Sequence, residues 1–117
     1  MKKFGLIGKK LGHSFSKSFF DKYFIENHVD ASYENIELND IELIEGIKND
    51  FDGFNVTIPY KEQVIPFLDD LDDIALKIGA VNTIYKRNDK FIGSNTDAFG
   101  FHQSIKPFLI NLVIYIN

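Results

Sequence analysis

Cysteine is absent from this sequence of 117 residues, which excludes disulfides and thiolate metal sites. Tryptophan is also missing, methionine occurs once and proline three times. Positive charge is not in excess. Thirteen Lys and Arg stand against seventeen Asp and Glu, for a formal net charge of -4, so no basic footprint for nucleic acid is present. Histidine is scarce, and His13, His28 and His102 lack the His-x-x-x-His spacing of a metal site, so none is expected. No apolar run approaches the roughly 20 residues of a membrane-spanning helix. The apolar stretch near the N-terminus gives way at once to Gly8, Lys9 and Lys10, too short for a secretory leader, so a cytoplasmic location is expected. Gly5, Gly8 and Gly12 do not make G-x-G-x-x-G, and Gly8-Lys9-Lys10 is not a phosphate loop, so a dinucleotide fingerprint is lacking as well.

What is present suffices for one domain with a core: the chain is 44% hydrophobic and 15% aromatic. Residues 4–7 read as a strand running into a glycine-punctuated loop that closes at Gly12. A helix is expected to start near Ser16, with Phe20, Tyr23 and Phe24 on its buried face. Residues 33–38 alternate apolar and polar like a half-exposed strand. Ile41, Ile44 and Ile47 recur close to helical spacing behind Asp40 as a cap. Residues 51–58 read as a buried strand stopped by Pro59. A short helix over 60–68 follows, then an acidic stretch, a helical turn ending near Gly79, a strand over 80–85, a turn at 87–90 and a returning strand over 91–94. A last helix is expected to open at Asp97, with Ala98, Phe101 and Ile105 inward and Pro107 ending it. Strands alternating with helices predict an α/β sandwich with a mainly parallel sheet. Residues 110–117 are a β-prone run without punctuation, readable as an edge strand, the first strand of something longer, or a break in the sequence.

The chemistry gathers where strands are expected to end. Asn55-x-Thr57 with Lys61 just beyond, Asn82-Thr83, and Asn95-Thr96-Asp97 place amides, hydroxyls, one carboxylate and one ammonium at the edge where open α/β sheets bind ligands. Such an array suits a ligand with several hydroxyl groups. Each segment alone reads better as a turn or a cap, and Lys61 alone reads better as a solvated lysine opening a helix. Together with Lys61 the three favour a polar pocket. Asp97 suits a helix N-cap as well as a substrate hydroxyl, and a Lys–Asp pair can exchange a proton with an oxygen of the ligand. Ser14 and Ser16 lie just before or at a helix start, where free N–H groups favour a carboxylate; N-capping by Ser16 is the plainer reading.

Four segments in order resemble the N-terminal substrate-binding domain of the shikimate dehydrogenase family: Gly12-His13-Ser14-Phe15-Ser16, then 53–61, Ile78-Gly79-Ala80-Val81-Asn82-Thr83, and 93–100. The resemblance runs from residue 3 to about residue 109, which gives a domain at 1–109 and a tail at 110–117 in place of an interdomain linker. It implies a three-layer α/β/α sandwich and a role in the NADPH-dependent reduction of 3-dehydroshikimate to shikimate, on the route to chorismate and the aromatic amino acids. It implies Ser14 and Ser16 at the substrate carboxylate, Lys61 as acid/base with Asp97 as its partner, and Thr57, Asn82 and Asp97 at ring hydroxyls. Asp73 corresponds, more weakly, to an acidic residue near the nicotinamide. The family's NADP-binding Rossmann domain is not among these residues, so the chain by itself is expected to be inactive. Lys17 stands where the family usually has proline, and the first loop lacks a proline after its glycine. Other readings are a non-catalytic module for shikimate or quinate, a truncated remnant, and a quinate-active relative. An oligomer is possible.

Overall fold

The computed structural model of the chain describes residues 1–97. Six strands form one sheet: β1 (Lys2–Gly8), β2 (Ala31–Glu37), β3 (Gly53–Val56), β4 (Asp70–Leu71), β5 (Thr83–Arg87) and β6 (Lys90–Ser94). Their order is β2-β1-β3-β5-β6-β4. β1 runs parallel to β2 and β3, and β4 runs parallel to β6, while β5 is antiparallel to both its neighbours. The sheet is therefore mixed but mostly parallel, as expected.

Alternation along the strands sends side chains to two faces. Ile7, Phe54, Val56, Ile84 and Phe91 point to one side and form the core with Ile41, Ile44, Tyr60, Val64 and Ala75. These last residues come from α2 (Tyr60–Gln63), α3 (Asp73–Ile78) and the 3₁₀ and loop segments between the strands. On the other side, Phe4 meets Phe24 at 6.2 Å between ring centroids and Tyr33 stacks on Phe20 at 4.8 Å. Phe20 and Phe24 belong to α1 (Phe15–Glu26). The sheet thus lies between α1 and a layer of short helices, which gives the three layers.

Several expected elements change in detail. Ile41 and Ile44 are buried in a 3₁₀ helix, Ile41–Gly46, capped by Asp40 accepting from the Glu42 N–H at 2.9 Å. A spacing of three residues is the 3₁₀ repeat, not the α repeat. The helix expected over 60–68 breaks into α2 and a 3₁₀ turn, Ile65–Phe67, because Pro66 has no N–H to continue the ladder. β3 is shorter than 51–58, since its pairing with β1 ends at Val56 opposite Ile7. The strand expected over 80–85 is shifted to Thr83–Arg87. The acidic run hides β4, two residues long, held to β6 by Asp69; it is too short and too charged to show a period.

Tyr23 is 46% exposed instead of buried and stacks on Phe19 along the outer side of α1. Gly79 ends α3 in the left-handed region, φ +77°, where a side chain would be strained. Gly93 is needed for a different reason: a Cβ there would stand 2.7 Å from methyl carbons of Leu68 and Val81. Thr96 and Asp97 are helical, so Asp97 lies inside the first turn and not before it. Ala98, Phe101, Ile105, Pro107 and the tail at 110–117 lie outside the described residues.

Candidate active site

The strand directions bring the expected segments to one edge. β1 and β3, being parallel, finish together at Ile7 and Val56. β5 is antiparallel to β3, so its first residue, Thr83, pairs with Asn55 on one side and with Ser94, the last residue of β6, on the other. Asn82 and Thr83 therefore open a strand, whereas Asn55 and Ser94–Asn95 close theirs. The chemistry collects at the same edge in either sense.

A cavity of about 370 Å³ sits there, lined by Leu6, Ser16, Phe20, Asn55, Val56, Thr57, Lys61, Asn82, Thr96 and Asp97. Lys61, on the first turn of α2, donates from Nζ to Asp97 Oδ2 at 2.8 Å. Its own carbonyl accepts from the Val81 N–H at 2.7 Å, which ties α2 to the start of β5. The hydrogen bond from Lys61 holds the Asp97 carboxyl below the usual carboxylate range, against a smaller opposing effect of partial burial; the Lys61 charge and a hydrogen bond from Asn82 add to it. Asp97 is thus held as a carboxylate accepting from Lys61 Nζ.

Asn82 is buried, and its amide is oriented by its neighbours. Its Oδ1 accepts from the Thr96 N–H at 2.9 Å and from the Thr83 hydroxyl at 3.0 Å, while Nδ2 donates to Thr96 Oγ1 at 2.9 Å. Asn55 accepts at Oδ1 from the Tyr33 hydroxyl at 2.8 Å. Both amides of the polar row are thus oriented by neighbouring groups.

The two serines separate. Ser14 is buried as the N-cap of α1, accepting from the Lys17 N–H at 3.2 Å, and it lines a different hollow with Gly12, Lys17 and Asn35. The helix therefore starts one residue earlier than expected, and capping by Ser16 is replaced by capping by Ser14. Ser16, one turn inside, faces the Lys61 pocket. Lys17 supplies a cap hydrogen bond that proline could not, and its Nζ reaches Asp21 at 2.8 Å and the Tyr33 carbonyl at 3.0 Å. The glycine loop before it hangs on Glu37, whose carboxylate accepts from Leu11 N–H at 2.9 Å and Gly12 N–H at 3.3 Å. These two bonds, Leu11 first, hold the Glu37 carboxyl pKa below the usual carboxylate range.

Lys61, Asp97, Thr57, Asn82 and Ser16 are brought together; Ser14 and Asp73 are not. Asp73 is exposed on the first turn of α3 and does not line the pocket. Sequence reasoning left out Leu6, Phe20 and the contribution of Tyr33, and gave Asn55 and Thr96 no individual role. Asn55 and Thr96 sit inside the quoted motifs, whereas nothing in the alternation of β2 distinguishes Tyr33 from an ordinary inward aromatic. A second hollow of about 270 Å³ lies beneath α1, lined by Phe4, Phe24, Tyr85 and other largely apolar groups; it offers few partners to a hydroxylated ligand. Among the described residues no group of three or more His, Cys, Asp or Glu is placed to hold a metal, and no helix is long and apolar enough to cross a membrane.

Comparison with known proteins points the same way. The family model for the shikimate dehydrogenase substrate binding domain matches residues 6–84. The chain is 43% identical over 121 aligned positions to a shikimate dehydrogenase (NADP(+)) of Staphylococcus aureus strain MSSA476, covering 97% of this chain and 45% of that protein. It superposes with TM-score 0.81 on shikimate dehydrogenase 1 of Peptoclostridium difficile, at 40% identity, covering 96% of this chain and 43% of the other. A shikimate 5-dehydrogenase of Thermus thermophilus, solved with NADP(H) and shikimate, gives 0.80 at 30% identity, covering 92% of this chain and 42% of the other. The chain spans less than half the length of these relatives.

Proposed function

We propose, from the premise that this chain belongs to the shikimate dehydrogenase family as its substrate binding domain, that the Lys61 pocket binds shikimate and 3-dehydroshikimate and serves their NADP-dependent interconversion. The observation that carries the reading is the Lys61–Asp97 pair, 2.8 Å apart, at the mouth of a row of oriented amides and hydroxyls. NADP supplies or accepts the hydride in this chemistry. The share assigned to this chain is the substrate.

In that share, Ser16 at the start of α1 takes the substrate carboxylate, where free helix N–H groups and the dipole favour an anion. Ser14 holds the turn from which Ser16 projects. Thr57 and Asn82 hydrogen-bond ring hydroxyls; the Asn82 amide is already turned by Thr83 and Thr96. As the carbonyl is reduced, Lys61 Nζ gives a proton to the developing alkoxide oxygen, and solvent restores it, since the side chain is 35% exposed. In the reverse direction the neutral amine takes the hydroxyl proton. Asp97 accepts from a substrate hydroxyl and keeps the ammonium aimed. Asp73, exposed on α3, is assigned to the cofactor side in the complete enzyme. The partner is a small acid and not nucleic acid, in keeping with the net charge of -4.

Shikimate affinity of the chain and its variants tests this. Lys61→Ala is expected to weaken binding about tenfold, the loss of one hydrogen bond from a charged group, and Asp97→Asn to weaken it by a similar factor. Asp73→Asn is expected to leave it unchanged. Absence of saturable binding by the unaltered chain, or indifference to Lys61→Ala, would refute the assignment.

A further inference from the structure

Two serines stand near the start of α1 and do different things. Ser14 is its buried N-cap, and Ser16, inside the first turn, lines the Lys61 pocket. Lys17 separates the two roles. Its N–H donates to Ser14 Oγ at 3.2 Å, in a helix that begins at Phe15. Its Nζ donates to the Tyr33 carbonyl at 3.0 Å and to Asp21 Oδ2 at 2.8 Å. β2 is the outermost strand of the sheet. Asp30 and Leu38, just beyond its two ends, bond β1 through their backbone, and the register between them is unbroken. Successive residues of a strand turn their backbone groups to opposite sides in the sheet plane. Tyr33, an odd number of positions from both, therefore turns its carbonyl to the open edge, where the Lys17 ammonium meets it. The first turn of α1 is thus fastened to its cap by the backbone of Lys17 and to the sheet edge by its side chain.

A helix starts where a side chain can accept its orphan N–H groups. This sequence offers two such side chains, Ser14 and Ser16. With an N–H at 17 in reach of Ser14 Oγ, the start falls at Phe15 and the Ser16 side chain is left free of capping. A proline at 17 has no N–H to give, suits the first helical position, and holds the residue before it out of helical backbone. Ser16 would then be the cap, with its oxygen turned onto its own helix.

We propose that Lys17 is a positioning residue for the carboxylate end of the site. Its N–H assigns the cap to Ser14, its ammonium holds the turn against β2, and together they leave Ser16 uncapped and facing the pocket. This rests on the proposed shikimate site, and adds to it a residue that does not line the ligand pocket.

Two substitutions separate the backbone of Lys17 from its charge. Lys17→Met keeps the N–H and loses the ammonium, whereas Lys17→Pro loses both. In the labelled, ligand-free chain, the Cα and Cβ shifts of Phe15 and Ser16 are expected to be helical in the unaltered chain and in Lys17→Met. In Lys17→Pro they are expected to be non-helical, with residues 19–26 helical throughout. Helical Phe15 and Ser16 in Lys17→Pro would overturn the proposal. With ligand, Lys17→Pro is expected to weaken shikimate about tenfold, and shikimate methyl ester, which lacks the anion, by less than about threefold. Lys17→Met is expected to weaken shikimate by about threefold at most, and Lys17→Arg to restore the affinity of the unaltered chain. Equal losses for Lys17→Met and Lys17→Pro would mean that the ligand senses charge and not the helix start, and would overturn the proposal. Equal losses of acid and ester in Lys17→Pro would do the same. If the unaltered chain binds neither ligand, the shikimate reading fails, while the ligand-free shifts still decide whether Lys17 sets the start of α1. If Lys17→Pro does not fold, Ser14→Ala takes its place: non-helical shifts at Phe15 and Ser16 with a selective loss of the acid uphold the proposal, and helical shifts at both reject it.

Discussion

Tyr33 and Asp97 show how the environment of a single group sets its hold on a proton. Burial pushes the Tyr33 phenol up to about 12, against a smaller opposing effect of the Ser16 hydrogen bond. In the unfolded chain a tyrosine titrates at about 10. The folded state therefore holds the proton more tightly, and the stability linked to it is intact below about pH 10 and is lost as pH rises through about 12. Following the Tyr33 ring carbons by NMR across alkaline pH checks this, and a midpoint at about 10, the unperturbed value, would contradict it. Asp97 and Glu37 work with the opposite sign: both are held below the usual carboxylate range, so their contributions are present at neutral pH and fade as pH falls through their lowered values. Lys61, Thr57, Asn82 and Asp97 were legible in the sequence because ionisable and amide groups clustered at strand boundaries have few uses. The Tyr33 contact with Asn55 was not, because its partner lies on β3, 22 positions further along the chain.

At the level of elements, legibility followed the length of the repeating signal. β1, β2 and the β5–β6 hairpin were readable because alternation and turn residues agreed with the register the sheet adopts. The hairpin turn has Asn88 at φ 53° and Asp89 at φ 63°, the left-handed pair of a type I′ turn, which favours Asn-Gly. Asp89→Gly is therefore expected to stabilise the chain by roughly 0.5 kcal/mol, since glycine takes positive φ without the penalty a side chain carries; thermal or urea unfolding reads it, and a lower midpoint would count against the turn assignment. On α1 the expectation for Tyr23 failed. Tyr23 stays 46% exposed on the outer side with Phe15 and Phe19, because Phe20 and Phe24 are the rings of this helix that reach the sheet rings. The start of α1 also moved, since the side chain at 14 is the one in reach of the Lys17 N–H.

For the whole molecule, the mixed sheet explains the site. Parallel β1 and β3 bring Thr57 and Lys61 to one edge, and the antiparallel turn into β5 delivers Asn82 and Thr83 to the same edge from the opposite direction. Strand direction was the part the sequence carried least, because pairing partners are set by contacts far apart in the chain. With the polar row prebonded, the fold has the features of a site formed in advance of its ligand. An NMR titration of the 117-residue chain with shikimate tests that directly. Saturable shifts at Ser16, Thr57, Lys61, Asn82 and Asp97, with Asp73 and Asn88 unmoved, are the expected result. No shifts, or shifts confined to Phe24 and Tyr85 in the apolar hollow beneath α1, would contradict it.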